Sequence, residues 1–204
     1  GKDFSPVKDD TLLIAMTIYP LLFTPIKHVT DFFCQVQLFT KHIFSLILIY
    51  NCYMRILGID PGLAIVGYCI VDYENDESIL ISSGSIQTDK DKTDSARLLE
   101  IETDMQTVIN TYKPEVASIE KLFYFKNQKT VIPVAEARGV ILSVLEKNKL
   151  PISEFTPIEV KQIITGYGRA TKEEVAKVVA MSIKYNKLPK LDDTLDSIAI
   201  ALCY

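Results

Sequence analysis

Apolar and polar residues alternate with two different periods along residues 54–204, and these periods predict a series of strands and helices. The runs MRILGID at 54–60 and AIVGYCIVDY at 64–73 predict two strands with a buried face. Apolar residues recur at helical spacing over 96–112 and 130–149, which predicts two amphipathic helices. The other predicted strands are 79–88, 116–123 and 151–156, and the other predicted helices are 157–166, 171–185 and 192–204.

Residues at the ends of these segments support the predicted boundaries. Pro157 opens a helix and Gly166 closes it, which is the usual placement of the two residue types. Thr171 and Glu174 have the spacing of a capping box. The resulting order βββαβαβααα predicts an α/β domain, with a mixed five-stranded sheet flanked by helices.

Residues 1–53 have a different character from residues 54–204. They contain no Glu and no Arg, and their apolar residues form blocks without a periodic face. Pro20 and Pro25 interrupt the first block, and the second, at 43–50, is shorter than the roughly 20 residues of a membrane-spanning helix. We expect the working domain to begin at Met54. Three origins stay open for 1–53: upstream sequence foreign to the working protein, an anchor or targeting segment, or a packing extension.

Composition restricts the chemistry that this chain can perform. With 22 basic and 26 acidic residues its net charge is −4, so any nucleic-acid site must be a local basic patch. The four cysteines form no C-x-x-C pair, which argues against a zinc cluster or disulfide scaffold and fits a reducing compartment. Both histidines precede Met54, which disfavours a histidine-based triad. The candidate chemistry therefore rests on carboxylates.

Acidic residues stand where predicted strands end. Asp60 ends the first strand and Glu120 the fourth, while Asp193 and Asp196 are three apart on the last helix, with Asp192 as an alternative to Asp193. Taken singly, these acids have ordinary interpretations: a turn residue, a surface acid or a helix cap. Asp196, however, interrupts the apolar run LDSIAIAL, where a lone acid is costly. Convergence of four such acids would need a hard divalent cation, Mg²⁺ or Mn²⁺, and two such ions can promote phosphodiester cleavage.

Five motifs follow one another along residues 54–204: GIDPG at 58–62, SIEKLFYFKN at 118–127, EARGV at 136–140, VKQIITGYG at 160–168 and DDTLDSIAIA at 192–201. In this order they resemble the motifs of the RuvC family of bacterial Holliday-junction resolvases. The resemblance covers essentially all of 54–204 and none of 1–53. It implies an RNase H-like fold and a homodimeric endonuclease that nicks two opposed strands of a four-way DNA junction symmetrically, in recombination and repair.

The resemblance places the family's catalytic metal ligands on Asp60, Glu120, Asp193 and Asp196. It implies two Mg²⁺ ions per active site, with Mn²⁺ as the alternative. Phe123 matches the family's aromatic residue that stacks on junction bases, and core packing is the alternative role for its side chain.

Basic residues are assigned by the same resemblance. Lys161 is a catalytic candidate, and Lys172 matches a second basic position near the scissile phosphate. For each candidate phosphate contact, a solvated surface charge is the alternative. Arg138 and Gly139 are assigned to helix packing or dimer contact. The other candidate DNA contacts are Lys121, Lys126, Lys129 and Arg169.

The expected partners are four-way junction DNA, a second copy of the chain and a branch-migration helicase complex of the RuvA/RuvB type. The expected location is the cytoplasm, with no requirement for a membrane. Two alternatives stay open: an RNase H-like nuclease that acts on structured RNA or other branched nucleic acid, and a junction-binding module without activity. An ATPase of the actin and sugar-kinase type shares the G-I-D-x-G turn but needs two lobes and a longer chain.

Overall fold

The computed structural model describes residues 53–122, 128–185 and 194–204. The chain divides into two units, Gly1–Asn51 and Cys52–Tyr204, and the described residues belong to the second. Among the predicted site residues, Asp193, Phe123 and Lys126 lie outside the described residues, as does the side chain of Lys129. Within the described ranges, no helix is both long and apolar enough to cross a membrane.

The described residues contain a six-stranded mixed sheet in the order β5-β4-β1-β2-β3-β6. β1 pairs antiparallel with β2 and parallel with β4, β2–β3 is antiparallel, and β4–β5 and β3–β6 are parallel. The predicted α/β class with a mixed sheet is confirmed. The strands are β1 Met54–Asp60, β2 Ile65–Glu74, β3 Glu77–Gln87, β4 Val116–Glu120, β5 Ile152–Phe155 and β6 Ile183–Tyr185.

The prediction of five strands was wrong by one. The helix predicted over 171–185 ends at Ser182, and Ile183–Tyr185 pair with β3 instead. Ile183 is buried there, and the open edge of β3 supplies backbone partners that the helical pattern of the sequence does not reveal. A short edge strand thus continues the chain directly from the preceding helix.

Five helices lie in the described ranges, and most begin with a polar cap. Thr171 and Glu174 form the predicted capping box, and Thr156 and Glu159 form a second one. Gly166 closes its helix at φ 77°, a left-handed conformation that favours glycine. The helices are α1 Asp94–Tyr112, α2 Gln128–Lys147, α3 Pro157–Thr165, α4 Lys172–Ser182 and α5 Leu195–Ala201.

The sheet separates two hydrophobic cores. On one face Leu57 and Ile59 of β1 pack with residues of α1 and α2. On the other face Ile56 packs with residues of α3, α4 and α5. Because successive strand side chains point to opposite faces, Gly58 and Asp60 share the face of Ile56, toward α5. Asp60 therefore lies on the face of the sheet that α5 covers.

Candidate active site

Two of the predicted acids end adjacent parallel strands. β1 and β4 are neighbours in a register that pairs Ile59 with Ile119, and Asp60 and Glu120 each come one residue later. Both side chains belong to the α5 face, because Gly58 and Ser118 precede them by two positions. Parallel strands end at the same edge of a sheet, so the two carboxylates meet there.

Small residues of the sheet allow α5 to lie directly against it. A β-carbon on Gly58 would stand 2.2 Å from the carbonyl oxygen of Ser197 and 2.7 Å from Cβ of Ala201, so only glycine fits. The Cys69 thiol donates to the carbonyl of Ser197 at 3.2 Å, and the Ser118 hydroxyl donates to the carbonyl of Ile200 at 2.6 Å. These contacts fix the helix by its backbone, and they place Asp196, in its first turn, near the strand ends.

The three described acids influence one another electrostatically. Burial, and then the negative charge of Asp196, raise the pKa of Asp60 to about 6, although Lys172 opposes the shift. Burial, with the charges of Asp60 and Asp196, raises the pKa of Glu120 to about 7. Burial and mutual repulsion thus both disfavour the ionised carboxylates of Asp60 and Glu120, so a bound cation would be favoured here.

Lys172 supplies positive charge at this edge. Its Nζ lies 2.8 Å from Oδ2 of Asp196, at the start of α4. Both side chains are about half exposed, so the pair is open to solvent. A pocket of about 220 Å³ opens beside the pair. Its walls combine four charged side chains with apolar ones: Glu120, Lys161, Lys172 and Asp196, with Pro157, Val160, Val175, Ala199 and Ile200.

The structure brings some predicted residues together and leaves others apart. Lys161 and Lys172 line the pocket with Glu120 and Asp196. Asp60 does not line the pocket, although it interacts electrostatically with Asp196. Lys121 and Arg169 are exposed and do not line the pocket.

Arg138 contacts the backbone of this site, and no local sequence pattern indicates these contacts. Its Nε donates to the backbone carbonyl of Glu120 at 3.0 Å, and its Nη2 pairs with the carboxylate of Glu154 on β5. Burial lowers the pKa of Arg138, although an arginine keeps its charge in proteins. The available signal was the EARGV motif, which was assigned to packing or dimer contact.

The donor chemistry suits a hard divalent cation. Carboxylate oxygens are the ligands that Mg²⁺ prefers, and the raised pKa values of Asp60 and Glu120 indicate that added positive charge would stabilise their ionised forms. Among the described residues, no group of three or more His, Cys, Asp or Glu side chains is close enough to hold a metal ion by itself. The predicted fourth ligand, Asp193, lies outside those residues.

This fold and this site define an RNase H-like nuclease domain, with acids at the ends of neighbouring parallel strands and on a helix packed against them. The family model described as "Crossover junction endodeoxyribonuclease RuvC" matches residues 56–204. The chain belongs to the RuvC family, as its sequence motifs predict. It is an endonuclease that hydrolyses phosphodiester bonds, and its function is that of a Holliday-junction resolvase.

Two relatives of this family each match about three quarters of the chain. The crossover junction endodeoxyribonuclease RuvC of Caldicellulosiruptor saccharolyticus is 45% identical over 152 residues, which are 74% of this chain and 92% of that relative. The enzyme of the same name from Prochlorococcus marinus is 47% identical over 149 residues, 73% of this chain and 94% of that relative.

Solved structures that resemble this chain include a member of the same family. Thermus thermophilus RuvC, also solved in complex with a Holliday junction substrate, has a TM-score of 0.68 and 27% identity to this chain. The similarity covers 74% of this chain and 92% of that one. The alternatives, a nuclease for structured RNA and a module without activity, are not favoured by these relatives.

Proposed function

We propose that this chain nicks two opposed strands of a four-way junction symmetrically, with Asp60, Glu120, Asp193 and Asp196 as the ligands of two Mg²⁺ ions. The carrying observation is the parallel register of β1 and β4, which brings Asp60 and Glu120 to adjacent strand ends, where burial raises the pKa of Asp60 to about 6 and that of Glu120 to about 7. Such a pair ionises fully near neutral pH only when a cation compensates it. Metal dependence is typical of the family, and Mn²⁺ is the alternative ion.

The ions, when bound, supply the charge that activates an attacking water and stabilises the departing 3′ oxygen. The chain's own residues hold and orient the reactants. Asp60 and Glu120, at strand ends aligned by the register of β1 and β4, would hold the ions. Lys161 and Lys172 face the same pocket and supply positive charge for the scissile phosphate, with Lys161 as a catalytic candidate.

Residues outside the pocket are proposed to contact the bases and the backbone phosphates of the junction. Phe123, three residues after Glu120, is proposed to stack on bases at the junction. Contacts to backbone phosphates position a nucleic acid without reading its sequence. The residues proposed for these phosphate contacts are Lys121, Lys126, Lys129, Arg169 and Lys172.

The assembly that we propose is a homodimer, since a two-fold enzyme matches a substrate with two equivalent cleavage sites. A helicase complex of the RuvA/RuvB type is the proposed loading partner, and the cytoplasm is the proposed location. Small-angle scattering of the full chain at concentrations that give paired nicks tests the dimer. A monomer mass under those conditions would contradict it.

The test of the function compares the wild-type full chain with Asp60→Asn on a synthetic four-way junction and a linear duplex of the same sequence, with Mg²⁺. Asp104→Asn, the same change at an exposed position of α1, is the matched control. We expect paired, ligatable nicks in the junction alone for wild type and Asp104→Asn. Asp60→Asn should bind the junction as well or better, because one negative charge facing phosphate is gone, and cleave nothing.

Two outcomes would contradict the proposal. Cleavage by Asp60→Asn at the wild-type rate would remove Asp60 from the site. Preference for structured RNA over the junction would favour the alternative substrate. A protein of residues 54–204 is assayed in parallel with the full chain. Equal junction cleavage by the two would show that 1–53 is dispensable for this activity.

A further inference from the structure

Arg138 joins three elements beside the site. From α2, its Nε donates to the carbonyl of Glu120 at the end of β4, and its Nη2 pairs with Glu154 of the edge strand β5. Only 13% of the Arg138 side chain is exposed, so the guanidinium is largely covered, while its partner Glu154 is 38% exposed to solvent. Charge-assisted hydrogen bonds of this kind are strong and directional.

The hydrogen bond from Arg138 to the carbonyl of Glu120 lies at the end of β4. The β4–β5 ladder ends as the amide of Lys121 donates to the carbonyl of Phe155 at 2.8 Å, and Lys121 and Leu122 are then exposed. Residues at the end of a strand fray unless another contact restrains them. The guanidinium of Arg138 restrains the carbonyl of Glu120, which belongs to the peptide next to the Cα that carries the carboxylate.

Arg138 acts on the backbone of Glu120 rather than on its charge. The causes that raise the pKa of Glu120 are burial and the charges of Asp60 and Asp196, and Arg138 is not among them. Glu154 already pairs with the guanidinium. The carboxylate of Glu120 therefore stays available to a cation, while its backbone is held in place.

We infer that Arg138 is a positioning residue for the metal site: by holding the carbonyl of Glu120 and the carboxylate of Glu154, it fixes the direction of the Glu120 carboxylate toward the cation. The inference rests on the proposed role of Glu120 as a metal ligand. Partners that orient a ligand from outside typically change metal affinity or activity by about 10–100-fold when they are removed.

The test measures metal binding without DNA. The thermal unfolding midpoint of the full chain is followed as Mg²⁺ or Mn²⁺ is added, for wild type, Arg138→Met, Glu120→Gln and the double variant. Arg97→Met is the matched control: Arg97 is as buried, with 12% of its side chain exposed, and its Nε donates to Thr88. Junction cleavage supplies kcat and KM for the same proteins.

We expect Arg138→Met to need about tenfold more metal, or higher, for the same midpoint shift, and Arg97→Met to need no more than wild type. In the Glu120→Gln background, Arg138→Met should weaken metal binding no further, because both changes remove the same interaction, that of the Glu120 carboxylate with the metal. For cleavage, Arg138→Met should lower kcat at fixed metal and leave KM for the junction within about twofold, since the metal geometry and not DNA binding is altered.

Each failure has its own signature. If Glu120→Gln binds metal as wild type does, the proposed role of Glu120 is wrong. If Glu120→Gln weakens metal binding and Arg138→Met does not, or if the two effects add fully, the inference about Arg138 is overturned. If Arg138→Met does not fold, the same metal titration is made on Glu154→Gln, which removes the ion-pair partner of the guanidinium. Unchanged metal binding by Glu154→Gln would overturn the inference.

Discussion

Gly58 and Ser197 approach so closely that a β-carbon on Gly58 would stand 2.2 Å from the carbonyl oxygen of Ser197. This contact joins the middle of β1 to the first turns of α5. It sets the distance between the strand that carries Asp60 and the helix that carries Asp196. The geometry of the acidic site thus depends on a glycine that has no functional group.

Gly58→Ala should destabilise the protein. The added methyl meets backbone, which cannot move away as a flexible side chain can, so we expect a loss of about 1–3 kcal/mol or more. Gly139→Ala is the control, because a β-carbon on Gly139 meets nothing within 4 Å and alanine favours a helix by about 0.5–1 kcal/mol. Urea unfolding measures both. A Gly58→Ala protein as stable as wild type would disprove the close packing.

Lys172→Met should lower cleavage with little change in stability. The Lys172–Asp196 pair is exposed, so its loss should change the free energy of unfolding by less than about 1 kcal/mol. Loss of the positive charge beside the acids should reduce kcat by about 10²-fold. Lys184→Met is the matched control, since Lys184 pairs with Glu77 at 2.5 Å and is equally exposed. Equal cleavage by the two variants would remove Lys172 from the site.

The metal-free protein should lose stability as pH rises from about 4 to about 7. The pKa of Asp60 is about 6 in the folded chain, against an ordinary aspartate value of 3.8. The folded state therefore holds a proton that the unfolded state has released, and its stabilising effect disappears as pH passes the folded pKa. Glu120, with a pKa of about 7, extends this interval upward.

Asp60→Asn isolates that contribution. Relative to wild type in the presence of a chelator, it should gain about 1–2 kcal/mol of unfolding free energy between pH 4 and 7, after allowance for solvent screening. Urea unfolding at several pH values measures the difference, and added Mg²⁺ should diminish it by binding the ionised form. A difference that stays constant with pH would contradict the raised pKa of Asp60.

Phe123→Ala should weaken junction cleavage and leave metal binding intact. Stacking of one base on an aromatic ring contributes about 1–3 kcal/mol, so binding or turnover should fall by roughly tenfold or more. Phe125→Ala, two residues later, is the control. The assay is single-turnover cleavage together with metal-induced thermal shifts. Unchanged turnover would return Phe123 to its alternative role in core packing.

The sequence by itself determined the class of fold, the two strands that carry Asp60 and Glu120, and the capping box of Thr171, although β4 ends at Glu120, three residues before the predicted boundary. These features are local: period-two and helical patterns, and cap residues, depend on neighbouring positions in the chain. The ordered motifs also predicted the family. Two features depend on distant partners that no local pattern shows: β6, which forms because β3 offers an open edge, and the contacts that Arg138 makes with β4 and β5.

Only the tertiary structure decided how the acids relate to one another. Glu120 follows Asp60 by sixty residues and precedes Asp196 by seventy-six, and no local pattern encodes their separation. The parallel pairing of β1 with β4 and the packing of α5 against Gly58 bring the three acids close enough to interact electrostatically. Their raised pKa values come from burial and mutual repulsion, which exist only after the chain has folded.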